Sequence, residues 1–122
     1  NMKLNYFVVG TNDMSVAVSF YDELFEESEL TKIHAEGRMT FWQGPEFMFA
    51  VAEPYDGNAA SVGNGIMLGF QLDDAEQVSR MHSKTLELGG ADEGEPKERS
   101  GHFSAYARDL DGNKICFYAR EG

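Results

Sequence analysis

The chain has one cysteine, Cys116, with three histidines and three prolines among its 122 residues. A single cysteine excludes an internal disulfide and any zinc site built from several thiolates. His34, His82 and His102 match no familiar zinc spacing, so each reads as a surface or core side chain. Positive charge is scarce: 10 Lys and Arg stand against 21 Asp and Glu, a net charge of −11. That balance repels phosphate backbones and anionic lipid surfaces, so neither nucleic acid nor a membrane is expected as a partner. No apolar run approaches the roughly 20 residues that span a bilayer. No stretch has the pattern of a signal peptide, and the cytoplasm is the expected location. A phosphate-cradling loop is also missing, because Gly63-Asn64-Gly65 lacks a following helix and lysine and reads as a turn.

What is present is a globular composition, 42% hydrophobic and 12% aromatic, in a chain of ordinary single-domain length. One pattern occurs twice. Asn5-Tyr6-Phe7-Val8-Val9-Gly10-Thr11-Asn12-Asp13 reads as strand, turn and helix start, and so does Met67-Leu68-Gly69-Phe70-Gln71-Leu72-Asp73-Asp74. Superposing Asp13 on Asp74 offsets the copies by 61 residues, half the chain. Phe7 then meets Leu68, Val9 meets Phe70, Phe20 meets Met81 and Phe25 meets Leu86.

Each copy predicts the same order of elements. A strand over Lys3–Thr11 is followed by a helix capped at Asn12 or Asp13, with Ala17, Phe20, Tyr21 and Leu24 as its apolar stripe. Short strands over Leu30–Ala35, Arg38–Gln43 and Phe47–Ala52 follow, separated by Gly37 and Gly44-Pro45. In the second copy a strand over Gly65–Leu72 leads to a helix capped by Asp74 and Gln77. That helix turns Val78, Met81, Thr85 and Leu88 inward and stops at Gly89-Gly90. A short strand within Ala91–Glu98 and strands over His102–Arg108 and Lys114–Ala119 complete the copy, the last two joined at Asp111-Gly112. The acidic run Asp92, Glu93, Glu95 and Glu98 is expected to be a solvated mobile loop, with a lid over the cavity as the alternative. The organisation is one domain over residues 1–122: module one about 3–53, a connection 54–65 and module two 66–120. The fold class is α+β, with two βαβββ modules forming a pseudo-symmetric curved mixed sheet and the helices on its outer face.

This arrangement resembles the vicinal oxygen chelate superfamily, which includes glyoxalase I, extradiol dioxygenases, fosfomycin-resistance enzymes and bleomycin-resistance proteins. The resemblance is carried by Val9-Gly10-Thr11-Asn12-Asp13-Met14 with Phe20-Tyr21. It is carried also by Ala107-Arg108-Asp109-Leu110-Asp111-Gly112-Asn113-Lys114-Ile115, which is similar to the superfamily's Asp-Pro-Asp-Gly-Asn turn. Its enzymes hold a divalent metal with His or Glu from the first and last strand of each half. Carried over by spacing, those positions are Tyr6, Met67 and Cys116, with a fourth between Phe47 and Phe49, uncertain by a residue. A thioether and a neutral phenol are poor ligands for hard or borderline ions, so no metal and no cofactor is expected.

Strand alternation separates an apolar set (Phe7, Val9, Leu68, Phe70, Ile115, Phe117) from Tyr6, Val8, Met67, Gly69, Cys116 and Tyr118 on the other face. The second set suits a cavity for a mostly apolar or aromatic molecule. The expected ligand pocket is Tyr6, Val8, Trp42, Phe49, Met67, Tyr106, Cys116 and Tyr118. Trp42 and Tyr106 serve equally well as core or interface aromatics, and Cys116 as a small buried hydrophobe. Arg38 and Arg108 are either sources of positive charge for an anionic ligand or a solvated surface pair. By analogy with bleomycin-resistance proteins, the resemblance implies a metal-free homodimer that binds a small organic molecule. The alternative is a glyoxalase I-like lyase or isomerase, or a related thiol-conjugate enzyme, using unconventional metal ligands.

Overall fold

The computed structural model describes residues 1–120. The chain divides into two compact units, Asn1–Ser61 and Val62–Gly122. Each carries one four-stranded mixed sheet and one helix in the order βαβββ. The eight strands thus hydrogen-bond as two sheets, one per module.

In the first unit β1 (Tyr6–Gly10), α1 (Met14–Leu24), β2 (Thr31–Glu36), β3 (Met39–Gln43) and β4 (Met48–Ala52) give the sheet order β1-β4-β3-β2. β1 runs parallel to β4 and the other neighbours are antiparallel. The parallel pair requires a crossover, and α1 lies within it. Asp13 caps α1 by accepting from the Val16 amide at 3.3 Å. The buried stripe of α1 is Ala17, Phe20, Tyr21 and Leu24, the side chains its spacing predicts.

The second unit repeats the plan with β5 (Leu68–Gln71), α2 (Ala75–Glu87), β6 (Ala91–Arg99), β7 (His102–Arg108) and β8 (Lys114–Ala119), ordered β5-β8-β7-β6. Asp74 accepts from the Gln77 amide at 2.9 Å, and the Gln77 side chain accepts from the Asp73 amide at 3.3 Å. α2 ends at its C-cap Leu88, Gly89 follows with φ +100°, and at Gly90 no larger residue fits, since a Cβ there would stand 2.6 Å from the Arg108 carbonyl oxygen. The turn between β7 and β8 is organised by the buried Asp109. Its Oδ1 accepts from the amides of Asp111 and Asn113, both at 2.9 Å, and its Oδ2 from the Asn113 side chain at 3.0 Å.

Two expectations need correction here. The fully buried side chains of α2 are Val78, Thr85 and the unexpected His82, while Met81 and Leu88 are only half-buried. His82 is buried because its Nε2 lies 2.9 Å from Asp92 Oδ1 on β6, which satisfies the ring. The acidic run 92–98 is not a loop but part of β6, an edge strand with register shifts around Gly94. An edge position and its bulges accommodate Pro96, whose nitrogen has no hydrogen to donate to a ladder.

Candidate functional site

Strand register decides which side chains share the faces that the helices leave open, because paired residues point to the same side. In the first sheet Phe7 pairs with Phe49 and Trp42 with Phe49, so these residues share one face. That face lies under α1: the Tyr21 ring is 4.7 Å from Phe49 and 6.0 Å from Trp42, and Phe25 is 5.4 Å from Phe49. Trp42 and Phe49 are 1% and 0% exposed. They are core residues and leave the expected pocket set. β4 pairs Phe49 with a helix-facing residue of β1, and that pairing cannot be read from β4 alone. The opposite face carries Tyr6 and Val8 with Met48, Ala50 and Phe41. Tyr6 and Phe41 stack at 6.0 Å, and Tyr6 and Val8 are nearly half exposed.

In the second sheet Gly69 pairs with Cys116, Tyr106 with Cys116, and Ser104 with Tyr118. Tyr106, Cys116 and Tyr118 therefore share the face away from α2. The core of this unit, Val78, Ala105, Ala107, Ile115 and Phe117, occupies the other side. Met67 is exposed and precedes β5 by one residue, at the same parity as Gly69. Gly69 opens space for the Tyr118 ring, whose nearest carbon would lie 3.5 Å from a Cβ at that position. Arg108 lies on this face as well, holding the Gly112 carbonyl at 2.8 Å and Glu93 at 3.4 Å. Arg38 belongs to the first unit, where it donates to the Glu53 carbonyl and sits 5.1 Å over the Tyr55 ring. The two arginines are thus tied to separate neighbourhoods.

The repeated register also locates the fourth chelator position. Gly69 stands to Cys116 as Val8 stands to Ala50, so the residue equivalent to Cys116 is Ala50, one beyond Phe49. The set is then Tyr6, Ala50, Met67 and Cys116: a phenol, a methyl group, a thioether and a thiol. Burial pushes the Cys116 thiol up from its ordinary pKa, while Arg99 and Lys114 pull weakly the other way. The thiolate, the form that binds metals, is therefore disfavoured. These residues do not fit a divalent ion. Among the described residues no group of three or more His, Cys, Asp or Glu is placed to hold one.

Two open grooves lie within the first unit. One runs beside α1, along Met14, Val18, Asp22 and Thr40, and the other along Thr11, Asn12, Arg38 and Glu53. Neither includes a residue of the expected pocket.

The Glyoxalase/Bleomycin resistance protein/Dioxygenase superfamily model matches residues 3–117. The chain belongs to this superfamily. A crystal structure of a glyoxalase/bleomycin resistance protein from Albidiferax ferrireducens is 35% identical, with 96% of this chain and 98% of that one covered and a TM-score of 0.90. More distant likenesses share the fold. Lactoylglutathione lyase from Agrobacterium tumefaciens is 20% identical over 98% of this chain and 94% of that one, TM-score 0.74. The fosfomycin resistance protein FosX from Listeria monocytogenes, complexed with Mn(II) and sulfate, is 17% identical over 96% and 89%, TM-score 0.74. No curated protein matches significantly. No helix among the described residues is long and apolar enough to cross a membrane.

Proposed function

We propose that this superfamily member binds a small, mostly apolar or aromatic organic molecule without a metal, against the strand faces that its helices leave open. One observation carries the reading: the four chelator positions hold Tyr6, Ala50, Met67 and Cys116, and the residues paired with them on the neighbouring strands are Met48, Val8, Phe41, Gly69 and Tyr106, none of them an acid or a histidine. Phenol rings and thioethers present broad, polarizable contact surface, which serves binding better than Lewis-acid chemistry. Binding as a homodimer is part of the proposal. The exposed apolar side chains Tyr6, Val8, Ile66 and Met67 support it as surface that a ligand or second copy covers.

The test has two parts. Protein loaded with nickel or zinc, dialysed and assayed for metal content retains far less than one ion per chain and does not turn over the methylglyoxal–glutathione adduct. A thermal-shift screen of neutral and charged aromatic metabolites returns binders. Stoichiometric metal with turnover overturns the proposal in favour of a glyoxalase I-like lyase. A screen without binders overturns it in favour of a structural role.

A further inference from the structure

The helix-free face of the second sheet has an electrostatic character opposite to that of the chain. By register Lys97 pairs with Ser104, Arg99 with His102, and Arg108 with Lys114. These four are on the Tyr106 face and make up four of the chain's ten Lys and Arg residues. Two acids of β6 are sorted the other way: Asp92 pairs with Ala107 and Glu98 with Phe103, on the α2 side. Asp92 is further engaged there by His82. Glu93 reaches the cationic side, where it is taken up by Arg108.

The cations are arranged around an aromatic ring. Arg99 Cζ lies 5.1 Å from the Tyr106 centroid and Lys114 Nζ 5.4 Å. The arrangement depends on Gly94, where a Cβ would stand 2.8 Å from a Tyr106 ring carbon and 3.3 Å from Arg99 Nη2. One guanidinium nitrogen of Arg99 donates to the Ser104 carbonyl and so orients the group. Neither Arg99 nor Lys114 forms a salt bridge with a carboxylate among the described residues. Two oriented, half-buried cations beside Tyr106 and the Cys116–Tyr118 strand form a charged rim to an aromatic floor. Arg99 on β6 and Lys114 on β8 flank Tyr106 from its two sides; their positive charge favours an oxyanion beside the ring, and the floor favours a planar ring.

We infer that the ligand of this face is a planar aromatic anion, its carboxylate or other oxyanion attracted by the positive charge of Arg99 and Lys114 and its ring laid against Tyr106 and Tyr118. The inference rests on the proposed binding function and names the ligand class for it.

Three probes of one shape and different charge test it: 2-naphthoate, 2-naphthalenemethanol and 2-naphthylmethylammonium, titrated by calorimetry and by NMR. The naphthoate binds tightest and shifts the signals of Tyr106 and Tyr118. Lys114→Gln weakens naphthoate by about two- to fivefold, the range for a partly exposed charge pair, and leaves the alcohol within about twofold. Arg99→Gln acts in the same direction, with circular dichroism reporting whether loss of the Ser104 contact disturbs the fold. Lys84→Gln, which removes a charge from α2, changes neither probe. If the alcohol or the ammonium binds as well as the naphthoate, or Lys114→Gln leaves the order of affinities unchanged, the inference fails while the binding function stands. If none of the three binds, both fail.

Discussion

The indole nitrogen of Trp42 donates to Asp22 Oδ1 at 3.0 Å, and Lys32 holds the other oxygen of the same carboxylate at 2.7 Å. The largest side chain of the first unit is thereby pinned under α1, among Tyr21, Phe25 and Phe49. Trp42→Phe removes the hydrogen bond and part of the packing and is expected to cost about 2 kcal/mol in urea unfolding. The same variant leaves ligand affinity within about twofold, because the ring faces away from Tyr6 and Val8. A large loss of affinity with native stability would return Trp42 to the pocket.

The His82–Asp92 contact predicts a pH dependence of stability. The Gly94 amide, and after it His82, hold the Asp92 carboxyl below its ordinary pKa. A carboxyl whose folded pKa is depressed adds stability that is present above its unfolded pKa, near 3.9. That stability is lost as pH falls through the folded value. Asp92→Asn is therefore less stable than the parent at pH 7, and the gap narrows as the pH drops from about 4 towards 2. Urea midpoints at four pH values measure it, and a gap that widens on acidification would refute the assignment.

Gly94→Ala places a methyl group against the Tyr106 ring and Arg99. The strand itself tolerates alanine, so the cost in stability is about 1 kcal/mol, that of mild overpacking. The Arg99–Tyr106 stack is displaced, and naphthoate affinity falls more than naphthalenemethanol affinity. Equal losses for the two probes would show that the glycine matters only for folding.

Cys116 is 5% exposed and its thiol is held protonated by desolvation. Alkylation by iodoacetamide at pH 7 is expected to run at least about tenfold slower than for a free cysteine, with no inflection in rate below pH 8.5. Rapid modification at neutral pH would reveal an activated nucleophile and reopen the enzymatic reading.

Local periodicity carries much of the architecture. The stripe of α1 and the bounds of β7 and β8 follow from spacing and turn residues alone, and the repeat of Asp13 in Asp74 marks both helix starts. The site was legible only in part. Tyr6, Val8, Tyr106, Cys116 and Tyr118 lie on helix-free faces as alternation requires, whereas Trp42 and Phe49 do not. Their side is set by the pairing of Phe7 with Phe49 across some forty residues of chain, which no local pattern encodes. His82 was missed for a similar reason, since its burial depends on Asp92 being brought beside it. The cationic face was hidden by composition: Asp92, Glu93, Glu95 and Glu98 dominate that stretch as text. Strand pleat turns Asp92 and Glu98 to the α2 side, opposite the face that carries Lys97 and Arg99.

The sorted charges of β6 have a further consequence at the rim of the sheet. An identical strand laid alongside in register would bring Asp92 against Asp92 and Lys97 against Lys97, with Pro96 interrupting the row of amides. The pattern that concentrates cations on one side of the sheet thus also discourages fibril-like stacking of one molecule on another.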